Sequence, residues 1–161
     1  MGRQHEAAEQ LEAAAGALVV FVRECPEPTW SAVATPEGWT VAALAHHCVH
    51  ANDFSLGWLC QMLAGRPLRE TPESHARLNA QEARRFSAVA KGEVIARLER
   101  TAERTARFLR ALTDAELGQT AIHGVAEREL TVGQVIPSFE QHMREHLASL
   151  KSNLVARTTV P

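Results

Sequence analysis

The sequence predicts an all-α protein, in its simplest form a four-helix bundle, from two observations. Ala, Leu, Glu and Arg, which favour helices, are abundant, whereas tyrosine is absent and runs of Val, Ile and Thr are few. Four long segments carry apolar residues at helical spacing and are joined by short connections, which is typical of a bundle. The chain of 161 residues shows no repeat or linker, so we expect a single domain over 1–161.

Proline and glycine signals bound the first two segments. Segment one runs from about residue 4 to 24 and ends at two prolines, which remove backbone donors and force extended backbone. The stretch from there to Gly38 is predicted as a loop. Segment two begins near Thr40, which we predict as the N-cap, and runs to Ala64, where Gly, Arg and Pro at 65–67 stop it.

Segment three is predicted as two helical pieces, residues 75–90 and 93–112, because Gly92 weakens the middle. The second piece has an apolar face and carries Glu–Arg pairs at i,i+4 on the outside. Its arginines alternate with glutamates, which is typical of a solvated face rather than of a stripe that binds nucleic acid. The net charge of -2 agrees, so we expect no nucleic-acid partner.

The last third of the chain holds a hairpin and segment four. Residues 118–130 lack helical periodicity, and Gly124 predicts a turn in a short extended hairpin. Segment four runs from residue 131 to about 155, with Pro137 in its first turns, where proline costs least. The longest apolar run, 13–22, is too short for a membrane span of about 20 residues. We therefore expect a cytoplasmic protein with no membrane partner.

Three cysteines, Cys25, Cys48 and Cys60, make an odd count, which argues against a disulfide framework. We predict that they are small buried hydrophobic residues in a reducing compartment. A reactive thiol is the alternative, although no cationic residue obviously flanks any of the three.

Two histidines of segment four point toward the core. At about 100° per residue, His146 lies roughly 20° from Phe139, the centre of the apolar stripe, and His142 lies roughly 60° from it. Because the two histidines are four residues apart, their rings lie one above the other and can converge on one ion. This spacing alone is weak evidence for a metal pair, and the alternative is two core histidines that bond to other protein groups.

Segment two carries one histidine that can face this pair. His47 lies roughly 60° from Leu44, at the edge of the apolar stripe beside Trp58. His50 lies roughly 120° away and His46 nearly opposite, so both are predicted to face solvent or flank the stripe. These two form their own i,i+4 pair, and a surface metal site there is the weaker alternative.

Three imidazoles from two facing helices, those of His47, His142 and His146, would form an open metal site. Three protein ligands leave positions free for water or substrate, which is the arrangement of a catalytic metal rather than a structural one. Imidazole suits Zn, Ni, Fe or Cu and does not select among them. No inward Asp or Glu clearly accompanies the histidines, so the sequence does not identify a catalytic acid or base.

Two stretches of the sequence resemble the DinB-like superfamily, in order and spacing over nearly the whole chain. Residues 39–47 read WTVAALAHH; in that family a tryptophan followed by Ser or Thr leads to a histidine eight residues later, here His47. Residues 142–146 read HMREH and are preceded by LTVGQVI at 130–136. Asn79, soon after the loop behind segment two, also looks like the family's pattern.

The resemblance implies a DinB/YfiT-like four-helix bundle, often homodimeric, with a divalent metal ion (Zn, Ni or Fe) bound by His47, His142 and His146. The superfamily includes YfiT-like metal-dependent hydrolases, S-transferases that use small thiols, and the mycothiol-dependent maleylpyruvate isomerase. The isomerase has an additional domain after its bundle, whereas this chain stops at Pro161, so we expect a different activity.

We therefore predict a metal-dependent thiol transferase or hydrolase that acts on a small molecule, with a low-molecular-weight thiol as co-substrate in the transferase case. A non-catalytic metal-binding or stress-related bundle is one alternative, and a structural module with packed histidines is the other. Trp58 is equally a pocket wall or a core anchor. Glu145 is predicted as an ordinary exposed glutamate and His123 as a solvated loop histidine.

Overall fold

A computed structural model describes the backbone of residues 2–158 and the side chains of residues 2–152. Within that part, eight helices and one two-stranded antiparallel sheet follow one another along the chain. They are α1 (Arg3–Glu24), α2 (Glu27–Trp30), α3 (Val41–Leu63), α4 (Pro72–Arg85), α5 (Lys91–Ala111), α6 (Asp114–Leu117), β1 (Thr120–His123), β2 (Arg128–Thr131), α7 (Val132–Val135) and α8 (Ser138–Thr158). The predicted all-α class is confirmed.

Four long helices, α1, α3, α5 and α8, form the predicted bundle. Both α5 and α8 contact α1 and α3, so the core lies between these four helices. Aliphatic side chains fill it, and the largest fully buried ones are Leu11, Leu18, Leu59, Met62, Leu98, Leu109, Met143 and Leu150. The apolar stripe predicted on segment four is buried, including its central residue Phe139. The helical periodicity therefore identified the core correctly.

The first half of α3 is buried on every side. Residues 41–49 are all buried, because α4, α5 and α8 each contact this helix. The predicted N-cap is confirmed: the Thr40 hydroxyl accepts from the Ala43 N–H at 3.1 Å and donates to the Ser87 carbonyl at 2.9 Å. The prediction that His46 faces solvent or flanks the stripe is wrong, since His46 is 1% exposed.

Two predicted elements differ from those in the structure. The loop predicted before Gly38 contains the short helix α2, whose Trp30 Nε1–H donates to the Val89 carbonyl at 2.7 Å. Segment four is not continuous: Pro137 lies between α7 and α8, and the Ser138 hydroxyl donates to the Val135 carbonyl at 2.7 Å. A proline has no N–H to donate and crowds the preceding turn, so the helix stops and restarts there.

The predicted hairpin is present and docks on the segment after α3. Thr120 pairs with Thr131 at its open end, and Gly124 follows the last residue of β1. The Gly124 N–H donates to the Leu68 carbonyl at 3.0 Å, and a Cβ built at this glycine would lie 2.8 Å from that oxygen. This close approach places the ring of His123 against that of Trp58, in the second half of α3.

The remaining predictions concern the membrane and the cysteines. None of the described helices is long and apolar enough to cross a bilayer. All three cysteines are free thiols. Cys25 and Cys48 are buried as predicted, and burial raises the pKa of the Cys48 thiol to about 12. Cys60 is exposed, contrary to the prediction, because it lies on the outer face of α3.

Candidate metal centre

Three histidine Nε2 atoms from two helices meet inside the bundle. His47 comes from α3, and His142 and His146 come from successive turns of α8. The Nε2 atom of His142 lies 3.1 Å from that of His47 and 3.1 Å from that of His146. All three ligand atoms lie within 4.8 Å of one another, so this cluster could hold a metal ion. The three residues that the sequence analysis singled out are thus brought together.

The spacing of these nitrogens fits a bound cation. An ion 2.0–2.1 Å from each imidazole nitrogen separates neighbouring ligands by about 2.9–3.4 Å in octahedral or tetrahedral geometry. The two 3.1 Å separations lie in that range. A neutral imidazole offers one proton in total, so His142 Nε2 cannot donate to both of its neighbours. A cation shared by the three lone pairs removes this conflict, and the residues present therefore fit a divalent metal.

Burial keeps the two α8 histidines neutral. Burial, followed by the proximity of the His146 and His47 rings, lowers the pKa of His142 to about 3. Burial, followed by the proximity of His47, lowers the pKa of His146 to about 4. At neutral pH both rings therefore carry a free lone pair, which is the form that binds a metal.

A buried carboxylate, Glu82 of α4, accepts hydrogen bonds from three histidines. The Nδ1 atoms of His46, His47 and His50 each lie 2.9 Å from one of its oxygens. Burial alone would raise the pKa of Glu82, but these three hydrogen bonds outweigh it and hold the pKa well below its usual range. As an ionised acceptor, Glu82 requires His47 to donate Nδ1–H, which leaves the Nε2 lone pair directed at the cluster.

The expectation that no inward acid clearly accompanies the histidines is wrong, because Glu82 is such an acid. Glu82 is the only buried residue of α4, a helix with few apolar residues, so no apolar periodicity marks its inner face. One signal was available: three histidines at 46, 47 and 50 need hydrogen-bond acceptors wherever their helix is buried.

An arginine on α5 determines the tautomer of His46. Arg97 Nη1 lies 2.7 Å from His46 Nε2, and a guanidinium group can only donate. His46 Nε2 must therefore accept, and its Nδ1–H donates to Glu82. Arg97, expected on a solvated face, is instead half-buried, and it shares the carboxylate of Asp53 with Arg104. The network thus runs from the surface through two histidines to the cluster.

Two cavities reach the cluster. The smaller, of about 130 Å³, is bordered by His47 and His142 and by four apolar residues: Ala51, Phe54, Trp58 and Leu78. The larger, of about 880 Å³, is bordered by all three histidines and by Trp39. Its polar lining consists mainly of Thr35, Glu37, Arg84, Ser87 and Ser149. The histidines therefore have open space on two sides, as an open metal site requires.

The family model of the DinB superfamily matches residues 10–150. The chain belongs to the DinB superfamily. Its fold is also similar to the solved structure of YfiT from Bacillus subtilis, described as a probable metal-dependent hydrolase with an unusual four-helix bundle topology. That match has a TM-score of 0.82 at 17% sequence identity and covers 96% of this chain and 87% of that chain. No curated protein matches the sequence.

The motif tryptophan of this DinB-superfamily protein supports the candidate ligand on α3. The ring of Trp39 packs edge-on against that of His47, with centroids 5.0 Å apart. Trp39 lies just before the first residue of α3, and its spacing of eight residues from His47 brings the two rings together. Asn79, the other position that looked like the family pattern, borders both cavities.

For the remaining candidate residues of this DinB-superfamily protein, some predictions are correct and others are wrong. Trp58 borders the smaller cavity, as the pocket-wall interpretation expected. Glu145 is exposed, as predicted. His123 is not a solvated loop histidine: it is 6% exposed, and its ring centroid lies 4.5 Å from that of Trp58. His75, which showed no pattern in the sequence, borders the smaller cavity.

Proposed function

We propose that this protein is a divalent-metal-dependent enzyme that transfers a small thiol or hydrolyses a small molecule. The observation that carries the proposal is the convergence of three histidine Nε2 atoms where two cavities meet. A structural metal site is closed by a fourth protein ligand, whereas three ligands beside open space leave room for a reactant. The description of YfiT as a probable metal-dependent hydrolase supports the same class.

The reaction would use a thiol or a water as the nucleophile. A divalent cation supplies a Lewis acid that lowers the pKa of such a nucleophile. In the transfer, RSH and R′–X give RS–R′ and HX: a sulfur–carbon bond forms, the bond to X breaks, and the thiol proton leaves with X. In the hydrolysis, water replaces the thiol and R′–OH is formed. Glu82 accepts a hydrogen bond from His47 Nδ1–H and so keeps the ring of this candidate ligand oriented during the reaction.

Elemental analysis tests the metal site. Untagged protein, purified without chelating resin, is expected to contain about one ion of Zn, Ni or Fe per chain. His142→Ala should lose it, whereas the control His5→Ala, a histidine of α1 outside the cluster, should retain it. Protein that holds no metal and takes none up on addition would overturn the proposal, as would His142→Ala with its ion retained.

A reaction screen tests the enzymatic part. The metal-loaded protein is assayed with small thiols against alkyl and aryl halides or epoxides, and with esters and amides in water. Turnover of any substrate that disappears in His142→Ala supports the proposal. Metal-loaded protein that neither binds nor converts any of them would favour the alternative, a metal-binding bundle without catalysis.

A further inference from the structure

The two cavities beside the histidine cluster differ in chemistry. The smaller cavity has an apolar face formed by Ala51, Phe54, Trp58 and Leu78, and its other bordering side chains are histidines, serines and an asparagine. Charged side chains, those of Glu37 and Arg84, border only the larger of the two cavities. His47 and His142 belong to both walls, and His146 borders the larger cavity alone. A reactant in one cavity therefore meets a reactant in the other at the histidines.

The aromatic wall of the smaller cavity is held in place by packing. Trp58 is 9% exposed, and Phe54 meets it edge-on with centroids 5.2 Å apart. On another side the ring of His123, from β1, contacts Trp58 at 4.5 Å between centroids. Aromatic faces and edges held in this way favour a further ring, either offset-stacked or edge-on. Leu78, 39% exposed, lies at the rim.

The volume of the smaller cavity limits what it can admit. It measures about 130 Å³. An apolar cavity of about 150 Å³ in another protein binds one benzene molecule. A single ring or a branched alkyl group of similar size therefore fits, whereas a fused two-ring system does not fit without displacing the wall.

Two nitrogen atoms on the side chains of this wall have no hydrogen-bond partner in the described structure. They are Trp58 Nε1 and His75 Nδ1, and both are buried. A buried polar atom without a partner costs free energy. Both nitrogens are shielded from the space of the cavity, so a ligand would bond to either one only after a neighbouring side chain moves.

We propose that the smaller cavity binds a compact apolar group of the substrate, one aromatic ring in size, and presents its reacting substituent to His47 and His142. The larger cavity, which has charged side chains at its border, is then left to the hydrophilic reactant. The assignment of a reacting atom rests on the proposed function, but binding of the ring depends only on the cavity. The two parts can therefore fail separately.

The binding part is tested on chelator-treated protein with benzyl alcohol as the probe. A titration followed by ¹H–¹⁵N NMR should shift the Trp58 Nε1–H signal and leave that of Trp39, in the larger cavity, unchanged. The two-ring analogue 2-naphthylmethanol should bind more weakly by roughly tenfold or more. No binding of benzyl alcohol, or a shift of Trp39 instead of Trp58, would overturn the proposal.

A matched pair of substitutions locates the site. Ala51→Leu fills the smaller cavity from α3 and should weaken benzyl alcohol binding roughly tenfold or more. Ala80→Leu adds the same side chain beside the larger cavity and should leave the affinity unchanged. If Ala51→Leu does not fold, Leu78→Asn at the exposed rim serves instead and should weaken binding several-fold. Equal affinity in all variants would contradict the assignment.

The functional part is tested on metal-loaded protein with a substrate class found in the reaction screen. Benzyl derivatives should have a higher kcat/KM than the corresponding methyl derivatives, and Ala51→Leu should abolish this preference. Benzyl alcohol binding without any metal uptake would refute the proposed function and keep the ring site. Turnover without preference for the benzyl group would refute the ring site and keep the proposed function.

Discussion

At the scale of single residues, Glu82 is the acceptor on which three histidines depend. It is buried, ionised and hydrogen-bonded to Nδ1 of His46, His47 and His50. Its negative charge would also compensate for that of a cation bound at the far side of the His47 ring. A single carboxylate thus joins the polar interior of α3 to the candidate metal centre.

Glu82→Gln should therefore weaken metal binding by about 10–100-fold, because an amide cannot accept three N–H groups at both of its ends. It should also lower the free energy of unfolding by about 1–3 kcal/mol, since at least one buried donor loses its acceptor. Competition with a chelating dye and urea unfolding measure the two effects. The control is Glu145→Gln, the same change beside His146 but on an exposed side chain. Equal losses in both variants would contradict this role of Glu82.

Arg97 affects the candidate metal centre indirectly, through its hydrogen bond to His46. Arg97→Met removes the donor that fixes the tautomer of His46, so the ¹⁵N shifts of the His46 ring should change. Metal binding should weaken by less than the roughly 10–100-fold expected for Glu82→Gln. Arg97→Lys, which can still donate, should restore both. Arg104→Met removes another partner of Asp53, one that does not contact His46, and should change neither. Identical spectra for the Arg97 and Arg104 variants would rule out this role.

The candidate ligands were predictable from the sequence, whereas their surroundings were not. Helical angles and the resemblance selected His47, His142 and His146, because i,i+4 spacing and an apolar stripe are local properties. His46 was misplaced because its angle was measured against one stripe, whereas residues 41–49 are buried on every face of α3, a helix that packs against α4, α5 and α8. The absence of any charged residue in that stretch was the available signal.

At the scale of elements, features that depend on neighbouring residues were predicted, whereas features that depend on packing were not. Thr40 was recognised because an N-cap depends on residues close in sequence. The break at Pro137 was missed, because proline is also tolerated in a first turn and only packing decides between the two outcomes. The docking of the hairpin on Leu68 depends on residues far apart in sequence, which no local pattern reveals.

The docking of the hairpin through Gly124 gives a prediction about the stability of the protein. Gly124→Ala should destabilise the protein by roughly 1–3 kcal/mol, because its Cβ would overlap the carbonyl oxygens of Leu68 and Glu70. Gly57→Ala, in open space on α3, should instead stabilise it by roughly 0.5–1 kcal/mol through helix propensity. Urea midpoints at unchanged slope measure both. The same sign for the two variants would show that the hairpin tolerates the displacement.

At the scale of the whole molecule, the neutral histidines make the stability of the metal-free protein depend on pH. An unfolded histidine has a pKa of about 6.5, whereas burial lowers that of His142 to about 3 and that of His146 to about 4. Because the folded values are depressed, the unfolded chain binds more protons below pH 6.5, and stability is lost as the pH falls toward 4. His50, whose pKa the Glu82 hydrogen bond raises, contributes in the opposite direction.

The Tm of chelator-treated protein should accordingly fall by roughly 5 °C or more between pH 7 and pH 5. His142→Ala, which removes one of the two neutral histidines, should show a shallower decline. Differential scanning calorimetry measures both. A Tm that rises or stays level over this interval would mean that the two α8 histidines do not remain neutral in the folded chain.

The positions of the three histidines along the chain also set the order in which the site can be completed during synthesis. Residues 47 and 82 leave the ribosome well before residues 142 and 146, so the ring of His47 and its carboxylate partner can meet while α8 is still being made. Until α8 is made, the nascent chain offers only the imidazole of His47 out of the three, so a cation would bind there weakly. Cation binding at this cluster would therefore begin only after α8 has been synthesised.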